Sequence, residues 1–81
     1  MEVEVYKSRR RPDTYLLVQA EEGLSRVPEE LTIHFGEAEL SFRFTLTEER
    51  RLARIDPVEL RSRLVQTGYW LQIPPPQELN G

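Results

Sequence analysis

Gly68-Tyr69-Trp70-Leu71-Gln72-Ile73-Pro74-Pro75-Pro76 is the stretch whose reading decides the fold. A glycine able to stop a helix precedes a run of large strand formers. Three prolines, which carry no amide hydrogen, then end any ladder. Alternation turns Tyr69, Leu71 and Ile73 toward a core and Trp70 and Gln72 the other way. The stretch reads as the last strand of the chain, placed well inside a sheet.

Immediately upstream, Asp56-Pro57-Val58-Glu59 has the chemistry of a helix start. Asp56 caps, Pro57 takes the first helical position, and Glu59 at the third completes a capping box. Ile55, just before the cap, is placed to staple onto Leu60. Val58, Leu60, Leu64 and Val65, with the stem of Arg61, are expected to form the buried side.

Further back, Ala38, Leu40, Phe42, Phe44 and Leu46 alternate with Glu39, Ser41, Arg43 and Thr45. This period of two predicts a strand with one buried and one wet face. A polar piece, Thr47 to Arg51, leads out of it, and Leu52 and Ile55 are expected to tuck back toward the core. Pro28 with Glu29 and Glu30 opens an earlier helix of about two turns. Leu24, Val27, Leu31 and Phe35 supply its apolar stripe, and Gly36 closes it. Val3 and Val5 mark the first strand. Thr14 to Gln19 pairs back on it as a hairpin across the turn Lys7-Ser8-Arg9-Arg10-Arg11-Pro12-Asp13.

The order is therefore β-β-α-β-α-β, an α+β fold. It predicts a four-stranded, mainly antiparallel sheet with two helices packed on one face. Residues 1–76 make a single domain, with a frayed tail at 77–81.

Composition bounds the function. Eighty-one residues with 38% apolar content support one core, and no cysteine is present for a disulfide or a thiolate metal site. No apolar run approaches the ~20 residues that span a bilayer, and the acidic, alternating start is unlike a signal peptide, so a cytoplasmic protein is expected. The net charge is −3, and ten of the eleven basic residues are arginine. An acidic chain lacks the global field of a nonspecific nucleic-acid binder, although a local basic patch remains open to it.

That patch is Lys7, Arg9, Arg10 and Arg11, joined by Arg26, with Tyr6 and Tyr15 beside it for stacking on a base. The plainer reading is a solvated turn whose arginines pair with Glu4, Glu21 and Glu22. His34, the only histidine, lies one helical turn after Glu30. One imidazole and one carboxylate fall short of a metal site, and no nucleophile is tied to them. The paired glutamates diverge in direction, no serine sits in a glycine-rich elbow, and no glycine loop cradles phosphate. The sequence thus predicts no catalytic residue, no cofactor and no metal. Trp70 and Gln72 beside Pro74, Pro75 and Pro76 form a second candidate surface. An aromatic next to rigid polyproline is suited to a partner, and otherwise serves only to cover its own sheet face.

Three segments together resemble the YcgL-like bacterial domain family. They are Tyr6-Lys7-Ser8 to Asp13-Thr14-Tyr15-Leu16, Leu24-Ser25-Arg26-Val27-Pro28-Glu29-Glu30-Leu31 with Phe35-Gly36, and Gly68 to Pro76. The resemblance implies a compact α/β domain and carries no biochemical activity with it. Its motif positions fall on Ser8, Thr14, Tyr15, Ser25, Arg26, Pro28, Tyr69, Gln72 and Pro74 to Pro76, which implies a shared surface. Trp70 stands where the family has a second tyrosine, and the short tail after Pro76 implies no C-terminal helix.

The expected function is a non-catalytic protein-interaction module with an unknown protein partner. It would work through Tyr15, Arg26, Trp70, Gln72, Pro74, Pro75 and Pro76. The alternative is RNA or nucleotide-phosphate binding through Lys7, Arg9, Arg10, Arg11 and Arg26, which rising salt would weaken steeply. A hydrolytic role for Glu30 and His34 is the least supported.

Overall fold

A computed structural model describes residues 1–52 and 54–74. Pro75, Pro76 and the tail at 77–81 lie outside the described residues. The elements are β1 (Glu2–Ser8), β2 (Tyr15–Gln19), α1 (Glu29–Phe35), β3 (Ala38–Thr45), α2 (Pro57–Gln66) and β4 (Trp70–Gln72). They form one four-stranded sheet in the order β3-β1-β2-β4, with every neighbouring pair antiparallel. The α+β class and the element order are those expected.

Three features differ from the sequence reading. First, β4 lies at the edge of the sheet, and the β1–β2 hairpin holds the centre. A ladder of three residues running into prolines suits an outer position, because a proline offers no donor to a second neighbour.

Second, the helices divide between the two faces. Leu60 and Leu64 of α2 pack with Val3, Val5, Leu17, Phe44 and Leu46. Val27 and Phe35, from the α1 region, pack with Leu16 and Val18. The sheet is thus the middle layer of three, and Leu16-Leu17-Val18 feeds both cores from one strand.

Third, β3 changes face along its length. Phe44 and Phe42 stand opposite Val3 and Val5, but the next partner of β1, Tyr6, stands opposite Leu40. Ser41 is the extra residue of a β-bulge, so Phe42 and Phe44 turn toward α2 while Ala38 and Leu40 turn toward α1.

The helix boundaries follow the expected chemistry except at the capping box, since Glu59 pairs with Arg63 and not with the Asp56 amide. Asp56 Oδ1 accepts the Val58 N–H at 3.1 Å, and Pro57 opens α2. Leu52 and Ile55 pack back against the α2-side core, as expected. Pro28 precedes α1, and Gly36 at φ 81° returns its N–H to Thr32 O. Val58 and Val65, expected inside, are 55% and 54% exposed. One narrow stripe one turn apart, Leu60 and Leu64, makes the contact of α2 with the sheet.

Candidate functional site

The basic turn is held from below by Ser8. Its buried hydroxyl donates to Phe35 O at 2.5 Å and accepts the backbone N–H groups of Arg10 and Arg11 at 3.1 and 2.9 Å. Ser8 therefore ties the turn to the C-terminal end of α1. Asp13 adopts φ 58°, which aspartate tolerates, and Ser8 N–H closes the loop on Thr14 O.

The cations on this turn have local partners. Lys7 Nζ lies 3.5 Å from Glu39, Arg9 reaches Glu39 at 3.2 Å and Glu37 at 3.9 Å, and Arg11 Nε donates to His34 O at 3.2 Å. Arg10 lies against Gly36, where an added Cβ would come within 3.1 Å of its own Cβ. These carboxylate partners come from β3 and the residue before it, whereas the sequence pointed to Glu4, Glu21 and Glu22. Exposed pairs of this kind contribute at most ~1 kcal/mol each, so they leave the turn solvated.

Arg26 stands apart from that turn. Its guanidinium donates to Val65 O at 3.1 Å and Gln66 O at 2.9 Å, satisfying carbonyls at the end of α2. The approach is close enough that a Cβ on Gly68 would sit 2.5 Å from Arg26 Cβ. Glu22 Oε1, buried and without a hydrogen bond among the described residues, lies 3.5 Å from Arg26 Nη1.

Glu4 is the one buried carboxylate in the sheet. Arg43 Nη2 donates to its Oε2 at 2.6 Å and the Tyr6 hydroxyl to its Oε1 at 3.2 Å. Burial, and then the Glu4 charge, push the Tyr6 phenol above its ordinary range. Hydrogen bonding to Glu4 likewise raises Arg43. With donors on both oxygens, Glu4 reads as a satisfied cross-strand pair.

Glu30 and His34 are both exposed on α1. Among the described residues, no group of three or more His, Cys, Asp and Glu side chains stands where it could hold a metal, and no helix is long and apolar enough to cross a membrane.

Of the second candidate surface, Tyr15, Trp70 and Gln72 share the α2 face, because Tyr15 pairs with Gln72 and Leu17 with Trp70. Trp70 is half-buried against the α2-side core, so this face is not open beneath it. Tyr69 and Leu71 point into the α1-side core, the parity expected. Pro74 is exposed just after β4.

Where α2 does not reach, the same face carries a groove of about 290 Å³. Its floor is Val5, Leu17, Phe42 and Phe44 from the sheet. Leu52 and Ile55 with Arg50 and Arg51 line it from the segment before α2, and Tyr15 and Gln72 line it from β2 and β4. Among the described residues, neither the Tyr15 hydroxyl nor the Gln72 amide has a hydrogen-bond partner within the protein. Phe42 remains 50% exposed on the floor.

The wall is anchored rather than loose. The Arg50 guanidinium stacks 4.6 Å above the Phe44 ring, and Arg54 Nη1 donates to Ile73 O at 3.1 Å, linking the segment before α2 to the end of β4. Sequence reasoning found Tyr15 and Gln72 but missed Phe42, Arg50 and Arg51. Phe42 was read as core, and it stays half-exposed because α2 does not extend over it, a length that the strand's own sequence does not show.

Comparison with known proteins places this geometry in a family context. Residues 3–75 match the YcgL domain family. The chain is 47% identical over 74 residues to a YcgL domain-containing protein of Azotobacter vinelandii, covering 91% of this chain and 76% of that one. It is 42% identical over 78 residues to one of Thioalkalivibrio sulfidiphilus, covering 96% of each. A third, of Yersinia enterocolitica, is 39% identical over 74 residues, covering 91% and 82%. The names of these relatives state a domain and no reaction or ligand.

Proposed function

This chain belongs to the YcgL domain family, and on that footing we propose that it is a non-catalytic protein-interaction module working through the groove between Tyr15 and Arg50. The observation that carries the proposal is the groove's make-up. An apolar floor with a half-exposed Phe42 lies beneath polar groups that have no partner of their own. That combination gives a partner both burial and orientation.

The polar residues implied by the family resemblance sort in the same direction. Ser8 and Arg26 serve helix ends, while Tyr15 and Gln72 line the groove with their polar groups unspent. RNA binding draws less support, because Lys7, Arg9 and Arg11 have local partners and Arg26 is committed to α2. A cytoplasmic setting remains part of the proposal.

A photoreactive benzoylphenylalanine placed at Phe42 in living cells tests it, with the same group at exposed Ser62 as control. A discrete, protease-sensitive adduct from position 42 and none from 62 is the expected result. A nuclease-sensitive adduct would transfer the reading to RNA, and no adduct at position 42 would overturn it.

A further inference from the structure

We infer that the groove takes a protein segment in which an apolar side chain is flanked by carboxylates, an inference that rests on the docking role proposed above. Two observations carry it. The first is the charge of the lining. Arg50 and Arg51 border the groove and no acidic side chain does, in a chain whose net charge is −3. Among the described residues, neither guanidinium has a carboxylate within ion-pair distance, whereas Arg9 pairs with Glu37 and Glu39 and Arg54 donates to Ile73 O. Glu48, Glu49 and Asp56 border a second hollow that Arg50 and Arg51 also line, and none of the three pairs with either guanidinium. The Lys7–Glu39 pair lies beyond Tyr15, outside the groove.

The second observation is the pairing of apolar and cationic lining. Val5, Leu17, Phe42 and Phe44 line the groove from the sheet, the Arg50 guanidinium lies over the Phe44 ring, and Arg51, Tyr15 and Gln72 also border it. An incoming segment therefore meets apolar surface with one side chain and cations with its neighbours. Arg50 is already oriented by the Phe44 ring beneath it, so less rotamer freedom is lost when a carboxylate arrives. A planar guanidinium takes a carboxylate in two parallel hydrogen bonds, which an acidic segment supplies.

A random peptide library displayed on phage and selected on the immobilised full chain tests the inference at moderate salt. The Phe42→Asp variant serves for counter-selection, and amide spectra establish that each variant is folded. The enriched peptides are expected to carry Asp or Glu within two positions of Leu, Ile or Phe. The Arg50→Glu, Arg51→Glu double variant is expected to lower their recovery about tenfold, the sum of two reversed pairs. Reversal at Arg61 and Arg63, exposed on α2, is expected to leave recovery unchanged. Apolar peptides without acid, or recovery indifferent to the charge reversal, would overturn the inference while leaving the groove as a docking site. No enrichment over Phe42→Asp would overturn both.

Discussion

Replacing Ser8 with alanine removes one oxygen atom and unties the basic turn from α1. Ser8 is 8% exposed, and its hydroxyl makes three hydrogen bonds, one given to Phe35 O and two received from Arg10 and Arg11 N–H. The Phe35 carbonyl lies at the buried end of a helix and would lose this donor, at about 1–3 kcal/mol. The two amides are partly solvated and water replaces most of their bond, so together they add about 0.5–1 kcal/mol. The sum is about 1.5–4 kcal/mol. A domain of 81 residues has about 4–12 kcal/mol in total, so Ser8→Ala should remove a large fraction of it. Urea unfolding followed by Trp70 fluorescence should show a lower midpoint at unchanged slope, and the melting temperature should fall by about 10 °C or more. A loss below about 0.5 kcal/mol would refute this account and return Ser8 to the surface role that the family resemblance implied.

Further expectations concern packing, backbone, and titration. Leu60→Ala should cost about 2–5 kcal/mol by urea titration, while Val65→Ala should stay within about 0.5 kcal/mol, since only Leu60 and Leu64 meet the sheet. Gly68→Ala, at φ 88° and 2.5 Å from Arg26 Cβ, should cost about 2–4 kcal/mol through strain and the displaced arginine. Gly23→Ala, at φ 55° with open space around it, should cost only the backbone term of about 1–2 kcal/mol. The Tyr6 phenol holds its proton more tightly folded than unfolded. Its contribution is therefore complete below the ordinary value of 10.0 and is lost as pH rises through the higher folded value. Urea midpoints from about pH 9 to 11 should fall less steeply in Tyr6→Phe than in the parent protein.

Local chemistry was the most legible part of the sequence. Asp56-Pro57 marked the start of α2, Gly36 closed α1, and the parity of Tyr69 and Leu71 was readable. Features that depend on the third dimension were not. Alternation from Ala38 to Leu46 is unbroken in sequence, because a bulge inserts a residue into the pairing and leaves the hydrophobic rhythm untouched. Reading that rhythm as one buried face led directly to both helices on one side. The corrective signal was present in Leu16-Leu17-Val18, a run without alternation that marks a strand covered on both faces. In the candidate site, Tyr15 and Gln72 were legible as polar and aromatic residues on a strand. Arg50 and Arg51 were not, since the place of Arg50 over Phe44 and of Arg51 beside the groove follows from the path of an irregular segment.

The bulge at Ser41 also bears on self-association. β3 is an outer strand of eight residues with Leu40 and Phe42 each 50% exposed, the composition of a template for chain-to-chain stacking. Because its two halves address opposite faces, a second copy laid antiparallel about Ser41 would set Leu40 of one chain against Phe42 of the other across the sheet plane. Such a pairing can match its apolar groups on neither side. Deleting Ser41 would leave these facings as they are but restore a regular row of edge amides and carbonyls, so light scattering at rising concentration should show more self-association in the deletion variant than in the parent.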